Sequence, residues 1–241
     1  SAGRLTIKVY SAGELVPALE CLGAVANGTA QMGHDAAYYH TGKSEGCAFF
    51  TAFPFGFAMG EMAAWIKHGN GQKLWDELYA PFGIRGFQAG STGTQMFGWF
   101  RREIRSLADL DGLKFRTQGN QGRLLQKLGV TPVSLPGGEI FPALQSGAID
   151  GAEWVGPYND LALGFYQVCR YYYSPGYHEP GPALQLTVNE QAWRSLPPDL
   201  QAIVRAAADA ATTDMYAEYT AQSGPALRTL VQKHGVIVRS L

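Results

Sequence analysis

The chain has 241 residues, 46% of them apolar and 16% charged, so it can bury a sizeable core and does not have the composition of a disordered segment. Nineteen Lys and Arg against 20 Asp and Glu give a net charge of −1 with no basic stripe, which excludes the phosphate neutralisation on which nucleic-acid binding depends. No apolar run approaches the ~20 residues that a membrane-spanning helix requires.

Leu5–Tyr10 alternates with period two and predicts a half-buried strand. Over 14–26, Leu15, Ala18, Leu19, Leu22 and Val25 recur at helical spacing, and Asn27-Gly28 ends the pattern. An aromatic, glycine-punctuated stretch follows from Tyr38 to Gly56. Helices are then predicted over 59–67 and 72–81, and strands over 84–89 and 98–102. Ser106-Leu-Ala-Asp109 has the spacing of a capping box with Asp in place of Glu. The middle third is the most regular, with strands at 113–116, 130–135 and 149–154 and helices at 121–128 and 139–145. This β-α-β-α-β alternation with short connections predicts an α/β fold with a parallel sheet covered by helices. Strands at 170–173 and 182–188, a long amphipathic helix at 200–219 and a nascent strand at 235–238 complete the reading. Both ends of the sequence read as lying inside a domain, and Ser1-Ala2-Gly3-Arg4 carries no signal-peptide pattern.

Catalytic signatures are missing. Gly119-Asn-Gln-Gly122 lacks the Lys-Ser/Thr of a P-loop, and neither GxGxxG, G-x-S-x-G nor H-E-x-x-H occurs. The five histidines are scattered. Cys21, Cys47 and Cys169 share no CxxC spacing and read as packed thiols rather than as zinc ligands or a redox pair.

Polar groups at strand ends say more, because α/β sheets bind ligands outside the carboxyl ends of their strands. Arg116 closes the strand 113–116, and its fork of five donors suits a carboxylate, with an ordinary ion pair as the competing reading. Glu153 and Trp154 end an otherwise apolar strand, where a carboxylate is costly to bury unless it meets a cation. Glu179 lies in the aromatic turn Tyr177-His-Glu-Pro-Gly181, and Gln95 in Gly93-Thr-Gln-Met-Phe-Gly98. Taken alone, each Glu is more often a solvated charge, and Gln95 reads as a hydrogen-bonded loop amide. If they converged, they would form an oxygen-only site for a hard cation.

The run from Leu135 to Trp154, continued by Val155-Gly-Pro-Tyr-Asn-Asp160, resembles the substrate-binding proteins of TRAP (tripartite ATP-independent periplasmic) transporters. Phe115-Arg116, Ala48–Gly56 and Tyr171–Gly181 fit the same pattern, so nearly the whole chain is covered. Glu153-Trp154 and His178-Glu179-Pro180-Gly181 are most similar to the branch that binds 2-oxo or 2-hydroxy acids together with a metal ion. The resemblance implies a two-lobed α/β fold of the periplasmic binding-protein type with a ligand cleft between the lobes, 1–92 with 155–188 forming one and 93–154 with 189–241 the other. It implies a periplasmic receptor, not an enzyme, that delivers a pyruvate- or lactate-like carboxylate to a membrane permease. Arg116 would hold the ligand carboxylate in a bidentate contact. Gln95, Glu153, the Trp154 carbonyl and Glu179 would hold Na⁺ or Ca²⁺, while Tyr39, Phe53 and Trp154 would wall the pocket. For full-length members it implies a secretion signal and, in some, a homodimer made through a C-terminal helical segment. A metal-assisted enzyme using Glu153 or Glu179 as base, and an ion-independent dicarboxylate binder, are the rival readings.

Overall fold

The computed structural model describes residues 1–241. The chain divides into two compact units, neither contiguous in sequence. The first comprises Ser1–Thr51, Glu61–Ser91 and Ala183–Met215, and the second Ala52–Gly60, Thr92–Pro182 and Tyr216–Leu241. These boundaries differ from those expected. Residues 155–182 belong with 92–154 because the strand at 171–174 joins the same sheet. Residues 189–215 belong with the first unit because Trp193, Val204 and Ala208 pack on Phe87 and Val188.

In the first unit, α1 (Cys21–Ala26), β1 (Met32–Asp35), α2 (Met59–His68), whose first two residues lie in the other unit, and α3 (Gly71–Tyr79) precede β2 (Ile84–Ser91). A three-stranded antiparallel sheet forms around β8 (Ala183–Asn189), in the order β1-β8-β2. Trp75, Tyr79, Phe50, Leu22 and Val25 fill its core, with Phe50 stacked on Trp75 at 4.9 Å. The helix expected over 14–26 is shorter because Pro17 precedes it. A turn of 3₁₀ helix at Ala18–Glu20 leads into α1, and Gly28 closes it with φ +81°. The strand expected at Leu5–Tyr10 does not form. No neighbouring strand pairs with it, and Val9 is 82% exposed.

The second unit holds β3 (Gly98–Phe100), β4 (Lys114–Arg116), α4 (Gly119–Gln126), β5 (Thr131–Val133), α5 (Gly137–Ser146), β6 (Gly151–Ala152), α6 (Pro157–Leu163), β7 (Tyr171–Ser174) and β9 (Ile237–Ser240). Their sheet has the order β5-β4-β6-β3-β7-β9. The predicted β-α-β-α-β run forms the parallel stretch β5-β4-β6, β3 runs antiparallel to both β6 and β7, and β9 pairs in parallel with β7. The capping box at Ser106–Asp109 is present and opens a short 3₁₀ turn. Trp99, Tyr172, Phe165 and Ile140 form one core cluster of this unit, and Phe97, Phe100, Phe115 and Tyr173 another.

After α7 (Glu190–Ser195), α8 runs from Pro198 to His234, beyond the expected end at 219 and through Gly224-Pro225. No helix is long and apolar enough to cross a membrane. The three cysteines are unpaired, with Cys47 and Cys169 buried.

Candidate functional site

Strand direction gathers the site. Parallel β4 and β6 end at the same sheet edge, where Arg116 lies in register with Ala152 and the Glu153 amide donates to the Arg116 carbonyl at 3.1 Å. Antiparallel β3 therefore begins at that edge, preceded by Gln95, and antiparallel β7 ends opposite the start of β3, followed by the turn carrying His178 and Glu179. Backbone bonds lock these segments together. The amide of Gln95 donates to the Glu179 carbonyl (3.0 Å), that of Met96 to the Val155 carbonyl (2.9 Å), and that of Gly176 to the Gln95 carbonyl (2.9 Å). A Cβ on Gly176 would lie 2.3 Å from that Gln95 carbonyl oxygen, so the crossing requires glycine.

Arg116 is 1% exposed and Glu153 0%. Arg116 Nη1 donates to Glu153 Oε1 (2.7 Å) and to the Glu153 carbonyl (2.9 Å), while Nε donates to the Leu135 carbonyl (3.0 Å). Its guanidinium carbon sits 5.1 Å from the centre of the Trp154 ring, a cation–π contact. Trp154 in turn lies against Gly137, where a Cβ would come within 2.4 Å of the indole. Nε and Nη1 are thus committed to protein acceptors. The bidentate contact with a ligand expected of Arg116 would require one of those bonds to give way.

Beside this pair, one ligand atom each from Glu153, His178 and Glu179 lies within 4.8 Å of the others, and all three residues are buried. Glu153 Oε2 has no hydrogen-bond partner, and neither do Gln95 Oε1 and the two ring nitrogens of His178. Leaving a buried polar atom unsatisfied costs about 1–3 kcal/mol. A hard cation bound by the Glu153 and Gln95 oxygens would repay that cost for them, so the oxygen set fits a metal ion.

Of the residues picked out in the sequence, the structure brings Gln95, Arg116, Glu153, Trp154 and Glu179 together in the second unit. Phe53 is in the same unit and 41% exposed; its segment is tied to the turn by Phe55, whose amide donates to the Tyr177 carbonyl at 2.8 Å and whose ring stacks on Tyr177. Tyr39 belongs to the first unit, edge-on to Tyr38 at 4.9 Å. Two surface cavities of about 390 and about 360 Å³ in the first unit are lined by residues such as Gly83, Glu190 and Arg194, and no residue of the cluster borders either.

Two residues of this region were not singled out in the sequence. His178 was named only within the turn His178-Glu179-Pro180-Gly181, without a role of its own. Asp160 has a distinct role at the start of α6. Its Oδ1 accepts from the amides of Val155 and Gly156 (both 3.2 Å), and its Oδ2 from Trp99 Nε1 (2.8 Å) and the Tyr172 hydroxyl (2.7 Å). Trp99 and Tyr172 stack at 3.9 Å. Complete burial pushes the Asp160 carboxyl up from 3.8 to about 7, against the downward pull of its donors. Asp160 thereby ties the connection that follows Glu153-Trp154 to the core.

The family description "Bacterial extracellular solute-binding protein, family 7" (DctP) matches residues 1–241. The chain belongs to this family. Among curated relatives of this DctP chain is a monocarboxylate 2-oxoacid-binding periplasmic protein of Nostoc sp., 47% identical over 229 residues, an alignment covering 95% of this chain and 63% of that protein. The chain thus spans less than two thirds of that relative's length. A TRAP periplasmic solute-binding protein from Pseudoalteromonas atlantica, crystallised with sodium and pyruvate, is 43% identical with a TM-score of 0.96, over 100% of this chain and 73% of its own. One from Colwellia psychrerythraea, crystallised with calcium and pyruvate, is 45% identical with a TM-score of 0.95, over 99% of this chain and 73% of its own. DctP proteins are solute binders, which agrees with the expectation of a receptor over an enzyme.

Proposed function

We propose that this DctP chain is the periplasmic receptor of a TRAP transporter, capturing a small 2-oxo or 2-hydroxy monocarboxylate with a metal ion and passing it to the membrane permease. The observation that carries this reading is the set of buried, unsatisfied oxygens from Glu153 and Gln95 beside the Arg116–Glu153 pair. Two similar proteins were crystallised with pyruvate and sodium or calcium. Gln95, Glu153, Glu179 and the Trp154 carbonyl would hold Ca²⁺ or Na⁺, which supplies positive charge to the ligand carboxylate. Glu153, Glu179 and a ligand carboxylate carry three negative charges against one on Arg116, so a divalent ion neutralises the cluster and a monovalent ion leaves −1. Buried uncompensated charge is unfavourable, which favours Ca²⁺. Mg²⁺ fits less well because it sheds its waters reluctantly. Arg116 orients the carboxylate, and Tyr39, Phe53 and Trp154 limit the size of its substituent.

Calorimetric titration of pyruvate and lactate in matched metal-free, Na⁺ and Ca²⁺ buffers tests this reading. Metal is expected to raise ligand affinity, and ligand to raise metal affinity by the same factor. Equal pyruvate affinity in all three buffers, or tighter binding of a longer dicarboxylate, would overturn it.

A further inference from the structure

His178 is 2% exposed, neither ring nitrogen has a hydrogen-bond partner, and Nε2 stands 3.9 Å from Glu153 Oε2. That separation is too long for a hydrogen bond. Two donors at ~2.1 Å from one tetrahedral ion lie about 3.4 Å apart, so an approach of about half an ångström would seat both on a single cation. The ring is fixed edge-on to Phe97 (6.1 Å) and Tyr177 (6.0 Å), aromatic neighbours that offer its nitrogens no strong acceptor. The backbone bonds of Gly176 and Glu179 hold the turn that presents it.

An oxygen-only set would select hard cations, whereas an imidazole suits borderline ions such as Zn²⁺, Co²⁺ and Ni²⁺. We infer that His178, with Glu153 and Glu179, forms a mixed nitrogen–oxygen site that binds Zn²⁺-class divalent cations in competition with Ca²⁺. The inference rests on the reading of this cluster as a metal site and adds a donor that the oxygen set does not contain. Dedicated zinc histidines also donate their second nitrogen to a carboxylate or carbonyl, an outer contact worth about 10–100-fold in affinity. His178 Nδ1 has no such partner, so Zn²⁺ binds here more weakly than at a dedicated centre and can be exchanged for Ca²⁺.

The test is calorimetric titration of chelator-stripped protein with ZnCl₂ and, separately, with CaCl₂ plus pyruvate, for the parent chain, His178→Gln, His178→Asn and Glu153→Gln. One Zn²⁺ equivalent should be displaced by Ca²⁺ with pyruvate. Both His178 variants should lose at least about tenfold in Zn²⁺ affinity, the scale of a weakened ligand set, while Ca²⁺ affinity changes less than threefold. Zn²⁺ affinity equal in parent and both variants, or Zn²⁺ that Ca²⁺ does not displace, overturns the inference. Loss of Ca²⁺ and pyruvate binding in Glu153→Gln alongside a silent His178 would leave the receptor reading standing. Zn²⁺ binding that depends on His178 and Glu153, with no response to pyruvate, would do the reverse. Should a variant fail to fold, nitrogen-15 spectra of the parent decide the matter. The histidine with cross-relaxation to the Phe97 and Tyr177 rings must shift at one equivalent of Zn²⁺, and a shift confined to the other histidines overturns the assignment.

Discussion

Asp160 makes stability depend on pH in a calculable way. In the unfolded chain its carboxyl titrates near 3.8, and in the folded chain at about 7. Below the lower value the group is neutral in both states and has no effect. Between the two, the folded state keeps a proton that the unfolded state has released, so stability falls by about 1.4 kcal/mol per pH unit. Above pH 7 the loss is complete, at roughly 4 kcal/mol. Asp160→Asn abolishes this titration at a separate cost. An amide nitrogen must now face either the Trp99 and Tyr172 donors or the amides of Val155 and Gly156, and stranding a buried donor costs about 1–3 kcal/mol. The variant should therefore be less stable than the parent at pH 4 and more stable at pH 8, crossing between about pH 4.5 and pH 6 by these magnitudes. Urea unfolding followed by tryptophan fluorescence at half-unit intervals reads the difference directly, since the other titrating groups are common to both proteins. Parallel curves from pH 4 to pH 8 would refute the reasoning.

Glu153→Gln removes the charge that compensates Arg116 inside the protein, so denaturant melts should show a loss of about 3 kcal/mol, the lower end for a broken buried pair, and calorimetry a loss of Ca²⁺ affinity. Arg116→Lys keeps the charge but cannot serve Leu135 and Glu153 at once, and it should weaken pyruvate binding by about 1.5–3 kcal/mol; unchanged calorimetric affinity would remove Arg116 from the site. Gly176→Ala places a methyl group against the Gln95 carbonyl, and should destabilise by about 1–3 kcal/mol as an overpacked contact, read as a lower thermal midpoint.

The parallel part of the second unit's sheet was legible because its strands and helices are short, periodic and closed by Gly129 and Gly147, which take φ +84° and +77°. Arg116 and Glu153 were legible for the same reason: a charged residue ending a buried strand has to be explained by what it meets. The strand at 5–10 was misread because period-two alternation records only a tendency, and no ladder partner was there to satisfy it. The end of α8 was misplaced because Gly224-Pro225 reads locally as a stop, whereas the packing of Ala226 and Leu230 holds the helix together beyond it. His178 and Asp160 escaped notice because their roles depend on the antiparallel strands β3 and β7, whose pairing joins residues more than 70 positions apart. The assignment of 155–182 to the wrong unit has that same origin.

The chain passes between the two units at 51/52, 60/61, 91/92, 182/183 and 215/216. No single cut or contiguous fragment can isolate the unit that carries the Glu153 cluster. Its edge strand β9, which pairs with Tyr171–Ser174, lies beyond α8 in the sequence. During synthesis from the N-terminus, residues 92–182 must therefore wait for Ile237–Ser240 before their sheet gains its final strand. Chains that lack Ile237–Ser240 would leave the β7 edge unpaired and open to chaperones and proteases.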